Sequence, residues 1–172
     1  MRIRLIFTLL LCLAINASAQ NTPSIDFTIR NLGVNVDGHF DTFSITTKFD
    51  ASGQLKKLEG EIKVKSIKTG IESRDEHLLE EEYFHTSKFP FIKLKSTSIR
   101  KVSSSEYKIK ANLTIKGKTK QITIPVKYEN LETQRKLSSN FEINRRDFNV
   151  GGGSFIMSKT VKLKVIHIEK KQ

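Results

Sequence analysis

Apolar and polar residues alternate with a period of two along most of this chain. "SIDFTIR" puts Ile25, Phe27 and Ile29 on one face, and "EIKVKSI" sets Ile62 and Val64 against Lys63 and Lys65. "EYKIKANLTIKGK" runs Tyr107, Ile109, Ala111, Leu113 and Ile115 in strict alternation. "QITIPVKYE" and "TVKLKVIHIEK" repeat the pattern with Ile122, Ile124, Val126 and Tyr128, and with Val161, Leu163 and Val165. Alternation of this kind describes half-buried antiparallel strands, one face dry and the other wet. It predicts eight strands, at about 24–31, 38–49, 54–67, 91–102, 106–116, 119–131, 136–145 and 159–169. Turn signals separate them: Ser52-Gly53, Ser103 to Ser105, Gly117 and "NVGGGS". Short gaps mean hairpins. Eight strands in meander order close most simply into an antiparallel barrel, with a sandwich as the alternative. Pro125, inside the sixth strand, cannot donate a ladder hydrogen bond and predicts an edge, bulge or splayed position.

One stretch breaks the pattern: "GIESRDEHLLEEEYFHTSKFPFIKL", residues 70–94. Ser73-Arg74-Asp75-Glu76 fits a capping box, Ser/Thr-x-x-Glu. Leu78, Leu79 and Tyr83 follow at helical spacing, so a short helix is predicted over 74–84, between the third and fourth strands. Pro90 stops any continuation. His77 with Glu80 or Glu81 has the spacing of a helical metal pair, and His85 follows. A metal needs three or four converging ligands, and a solvated acidic face fits the same residues, so no metal is assigned. There is no Gly-x-Ser-x-Gly elbow, and "GGGS" at 151–154 lacks the Lys-Ser/Thr and helix of a phosphate loop. No catalytic residues are assigned.

The N-terminus changes the picture of where the protein works. "MRIRLIFTLLLCLAINASAQ" runs from basic Arg2 and Arg4, through an apolar stretch, to Ala17-Ser18-Ala19. That order predicts a cleaved secretory signal over residues 1–19 and one mature domain over 20–172. The apolar run is short of the ~20 residues a bilayer crossing needs. Cys12 is the chain's one cysteine, so the mature domain has no disulfide and no thiolate for chemistry or zinc. The formal charge of +12 loses Arg2 and Arg4 with the signal, which leaves +10. Residues 20–94 hold 10 Lys/Arg against 12 Asp/Glu, and residues 95–172 hold 18 against 6. The second half thus supplies the whole positive balance and suits anionic partners such as a membrane surface or a pyrophosphate. Export argues against nucleic acid.

There are 11 Phe, 3 Tyr and no Trp. Many of the Phe lie away from the strand centres, which fits either a side-chain plug or the wall of an apolar cavity. The candidate wall is Phe27, Phe40, Phe43, Ile62, Val64, Phe84, Phe91, Leu113 and Phe148.

These residues also carry a resemblance. "SIKTGIESRDEHLLEEEYFHTSKFPFIKLKSTSI" resembles the YceI-like family of exported lipid-binding proteins through Ser66, Ile67, Thr69, Gly70, Arg74, Asp75, His77, Leu78, Phe84, Phe89, Pro90, Ser96 and Thr97. "ANLTIKGKTKQITIPV" resembles its hairpin motif, with Ala111 in the glycine position. "INRRDFNVGGG" resembles its third motif through Ile143, Asn144, Arg145, Asp147 and Phe148, with Asn149 where glycine is usual. Asn tolerates left-handed backbone, so the turn survives. Gly38 and Phe40 fit an early Gly-x-Phe. The likeness spans residues 24–168 and implies a lipocalin-like, eight-stranded antiparallel barrel with a helical insert. It also implies an apolar channel for a polyisoprenoid or other long-chain amphiphile, such as a quinone, prenyl phosphate, or fatty amide or acid. A periplasmic place in a Gram-negative cell, and a possible homodimer, complete it. Arg74, Asp75, His77, Arg145 and Asp147 become the motif's polar residues, expected to fasten the insert and loops. The expected function is a non-catalytic carrier; the alternatives are a basic envelope-interaction module without a lipid cavity, and a hydrolase or isomerase using Arg74, Asp75 and His77.

Overall fold

A computed structural model describes residues 22–171. The expected signal sequence over residues 1–19 and its cleavage point lie outside the described residues. Ten strands form a single sheet: β1 (Ser24–Asn31), β2 (Val34–Phe40), β3 (Phe43–Phe49), β4 (Leu55–Lys63), β5 (Ile67–Lys68), β6 (Phe91–Lys101), β7 (Glu106–Ile115), β8 (Lys118–Asn130), β9 (Gln134–Asn144) and β10 (Met157–Lys170). Every pairing is antiparallel, in the order β3-β4-β6-β7-β8-β9-β10-β1-β2-β5. The sheet curls until its two ends meet. There Lys63 N–H donates to the Thr42 carbonyl and Asp41 N–H to the Ser66 carbonyl, at 3.0 and 3.1 Å. The all-β antiparallel barrel expected from the alternation is the architecture found.

The strand count differs from the expected eight for a local reason. The predicted 38–49 strand is two strands, and it begins earlier, at Val34. Asp41 and Thr42 leave the line to bond the segment that follows β4. The predicted 54–67 strand is likewise β4, a 3-10 turn at Val64–Ser66, and then β5. The break lets one continuous segment pair with β3 on one side and β2 on the other, and this joins the sheet ends. Pro125 behaves as its missing N–H demands. On the β7 side it sits opposite Lys108, whereas β8 pairs with β9 only over Lys127–Asn130. The two strands splay from that point, and the Ser139 hydroxyl donates to the Pro125 carbonyl.

Gly38 marks the tightest crossing in the wall. A Cβ there would lie 2.3 Å from the Phe27 ring and 2.6 Å from the Lys68 carbonyl oxygen. Gly38→Ala is therefore expected to destabilise by about 3 kcal/mol, the upper end of overpacking costs, and to lower Tm by roughly 6–12 °C. Phe27→Leu should restore part of the loss. A melting curve that Gly38→Ala leaves in place would show that the ring yields at no cost.

The barrel ends differ. At the far end, the side chains of Leu55, Tyr107, Ile109, Ala111, Val126, Tyr128 and Leu137 pack into a plug. Tyr107 and Tyr128 meet edge to face at 5.9 Å, and Leu55 N–H donates to the Tyr107 hydroxyl. At the other end, the segment 69–90 folds over the opening. It is pinned by Gly151 N–H donating to the Glu82 carbonyl and by Lys116 Nζ, which donates to the carbonyls of Glu82 and Asn149.

Candidate functional site

Between plug and cap lies a cavity of about 270 Å³. Its wall follows from strand register. The β1, β10 and β9 ladders place Ile29, Val161 and Ile143 in one row and Phe27, Leu163 and Phe141 in the next. Ile25, Val165 and Ser139 form a third row, and His167 sits beside Leu137 below them. Every one of these side chains lines the cavity, and Ile62, Ile92, Leu94, Leu113 and Ile115 line the opposite wall. The interior is thus neither fully plugged nor hollow: one end is filled, and an apolar chamber remains above it.

Five of the nine expected aromatic and aliphatic wall residues beside the strands and loops line this chamber directly: Phe27, Phe40, Ile62, Leu113 and Phe148. Phe84, from the cap, is a sixth. Phe43 lies opposite Ile62 in the ladder and packs into the core around the seam without lining the cavity. Val64 is 1% exposed, locked in the 3-10 turn. Phe91 corrects the expectation most clearly. It is 40% exposed on the outer face, with Lys93 Nζ over its ring. Ile92 and Leu94 already take the inward phase of β6, and a strand cannot turn two neighbours the same way.

The cap is built on helix α1 (Glu72–Leu79). It starts earlier and ends sooner than the predicted 74–84, and the capping box does not form. Ile71 holds the N-cap position, and no side chain caps the turn. The helix is anchored by side chains of its own first turn instead. Asp75, 8% exposed, accepts hydrogen bonds from the Thr69 N–H and hydroxyl. Arg74 Nε donates back to the same hydroxyl, and its Nη2 donates to the Thr69 carbonyl, at 2.8 and 2.7 Å. Thr69 thereby couples the two charges. Glu80, Glu81 and Glu82 come where the helix dipole is negative, and the helix stops there. His77 Nε2 lies 3.6 Å from Glu80, and His85 Nδ1 lies 3.9 Å from Glu81. The two histidines thus serve separate carboxylates.

Arg74 and His77 also face the interior. Both line the cavity at its capped end, together with Thr69, Tyr83, Asn31 and Arg145. With Nε and Nη2 spent on Thr69, Arg74 Nη1 makes no hydrogen bond among the described residues. Asn31 Oδ1 is buried without a hydrogen-bond partner. A buried acceptor of this kind costs stability unless a donor reaches it. Asn31 sits at a strand end, where sequence reads only a surface amide, and only the register with Met157 turns it inward. Arg145 is 3% exposed and bonds only backbone carbonyls from residues 150–158. Burial pulls its pKa below the ordinary arginine value, and the neighbouring Arg146 adds to that. Asp147 is exposed on the outer side of the 3-10 turn Arg145–Phe148. Asn149 ends that turn in left-handed backbone, φ 57°, as its place in the motif requires.

His167 is the ionisable group deep in the chamber. Burial lowers its pKa, opposed by Glu169. An unfolded histidine titrates near ~6.5, so as pH falls the unfolded chain takes its proton first. The contribution to stability is therefore complete above about pH 6.5 and declines as pH falls through the depressed folded value. The urea midpoint should drop as pH falls below about 6.5, and His167→Leu should flatten that decline. An unchanged slope in His167→Leu would place the pH response elsewhere.

Comparison with known proteins gives a consistent set of likenesses. The family model "YceI-like domain" matches residues 17–168. A UPF0312 protein of Shewanella denitrificans is 34% identical over 103 residues, 59% of this chain and 54% of that one. Protein YceI of Salmonella arizonae is 34% identical over 105 residues, 60% and 54% respectively. The chain spans about half the length of the curated relatives it matches. Among solved structures, Burkholderia cenocepacia BcnA superposes with a TM-score of 0.80 at 24% identity, over 86% of this chain and 96% of that one. Campylobacter jejuni YCEI gives 0.75 at 25% identity, over 81% and 86%. A polyisoprenoid binding domain from Saccharophagus degradans gives 0.70 at 15% identity, over 87% and 94%.

Proposed function

Because the chain belongs to the YceI-like domain family, we propose that it is a non-catalytic binding protein whose barrel holds the tail of an isoprenoid or similar long-chain amphiphile. The observation that carries this is the apolar chamber of about 270 Å³, closed below by the plug and bordered by polar groups under the cap. Its volume is just below the ~300–1,000 Å³ typical of ligand pockets. An apolar tail gains about 0.8 kcal/mol per buried methylene there. The head group remains at the capped end, where Arg74 Nη1 donates to a phosphate or quinone oxygen and Asn31 Oδ1 accepts from a hydroxyl or N–H. The polyisoprenoid binding domain of Saccharophagus degradans shares the fold and agrees with this reading. The signal pattern at residues 1–19 supports export, so the protein acts in the cell envelope.

Calorimetric titration with prenyl alcohols and prenyl phosphates of increasing length tests the proposal. Affinity should rise with each added isoprene unit and level off once the chamber is filled. Phosphates should exceed alcohols by a margin that shrinks in Arg74→Gln. Affinity that ignores chain length would overturn the reading.

A further inference from the structure

Four large apolar side chains project into solvent at one place on the barrel rim. Leu32, in the turn after β1, and Val34, the first residue of β2, are 70% and 66% exposed. Phe155 and Ile156, in the loop before β10, are 102% and 59% exposed. The two pairs adjoin: Leu32 N–H donates to the Ile156 carbonyl at 3.0 Å, and Asn31 faces both Val34 and Met157 in the ladders. An exposed apolar cluster of this kind marks an interaction surface.

Its position relates it to the chamber. Asn31 and Met157 line the cavity, and their chain neighbours Leu32 and Ile156 point out. The tip is therefore the outer lip of the chamber's polar end. Basic side chains lie beside it. Arg30 Nε donates to the Gly33 carbonyl and Arg146 Nη2 to the Ser154 carbonyl, at 2.9 and 3.0 Å, so both guanidinium groups are held against the apolar turns. Lys159 follows three residues after Ile156 and is exposed. None of the three lies in an ion pair among the described residues. Carbonyl bonds orient these cations without neutralising them.

We propose that this tip docks on an anionic lipid bilayer, with Leu32, Val34, Phe155 and Ile156 entering the interface and Arg30, Arg146 and Lys159 meeting the head groups. Short apolar prongs beside cationic side chains match the layering of an anionic membrane surface, apolar below and negative above. Docking sets the lip of the chamber on the layer in which amphiphiles reside. The proposal rests on the function given above, since it supplies the route by which a tail reaches the chamber.

The experiment is sedimentation of the mature chain with vesicles of phosphatidylglycerol mixed with phosphatidylcholine, against phosphatidylcholine alone, alongside a prenyl phosphate titration without vesicles. The wild type should sediment with the anionic vesicles, and raised salt should weaken it. The double variant Leu32→Ser, Phe155→Ser should lose about ten-fold or more in vesicle binding. Arg30→Gln with Arg146→Gln should lose the preference for anionic lipid. Both should keep wild-type prenyl binding in solution. Equal sedimentation of wild type and the Leu32, Phe155 variant overturns the docking proposal, as does a wild type that stays in the supernatant. So does a change of this variant from dimer to monomer in gel filtration, which would make the tip a contact between copies. A wild type that binds vesicles but takes up no prenyl phosphate in solution would instead sink the binding function and leave the docking standing.

Discussion

Arg145→Met is expected to destabilise the protein by about 4 kcal/mol or more and to lower Tm by roughly 8–16 °C. Arg145 organises a whole loop. Its Nε donates to Ser158, its Nη1 to Val150, Gly151 and Gly152, and its Nη2 to Ser154 and Met157, over 2.7–3.3 Å. Six carbonyls thus converge on one buried cation, and charged hydrogen bonds contribute about 1.5–3 kcal/mol each before desolvation is set against them. The methionine chain fills similar volume but leaves those carbonyls facing apolar surface, and this sets the size of the loss. Arg145→Lys keeps the charge without the planar fork, so it should recover less than half of the stability. The loop also carries Val150 into the core and Met157 to the cavity, so ligand affinity should fall along with stability. Thermal melts of the three proteins decide the matter. A Tm within a few degrees of wild type in Arg145→Met would mean that the loop is held by something else.

Leu163→Trp should separate binding from folding. Leu163 stands between Phe27 and Phe141, in the middle row of the wall, and points into the chamber. An indole there occupies cavity space rather than overpacking a filled core, so stability should shift by no more than about 1 kcal/mol. Prenyl-chain affinity should fall about 100-fold or more, equivalent to ~2.7 kcal/mol. Lys164→Trp, one residue along and on the outer face, is the control and should bind like wild type. Full affinity in Leu163→Trp would show that the tail lies outside the chamber.

Much of this architecture is legible in the sequence, because a half-buried strand must alternate. The rows Ile29–Val161–Ile143 and Phe27–Leu163–Phe141 are that alternation seen from within. What the pattern misses has long-range causes. Nothing in "HFDTFS" signals a break, which arises when Asp41 N–H finds the Ser66 carbonyl, 25 residues away in sequence. The Ser73–Glu76 box is a sound local motif, but Thr69 draws Arg74 and Asp75 into its own hydrogen bonds and moves the helix start. Phe91 reads as wall because it is aromatic, yet its phase opposes Ile92. The wall is mainly branched aliphatic, and composition drew attention to phenylalanine instead. Asn31 and His167 are polar residues in a chamber lining, which only register reveals.

Native mass spectrometry of the protein purified from the cell envelope of an expressing bacterium, without detergent, tests the central claim most directly. The account predicts a bound species that adds the mass of a single long-chain amphiphile, extracts into organic solvent, and is absent from Leu163→Trp. Wild-type protein that carries no added mass and takes up none when incubated with prenyl phosphates would contradict it.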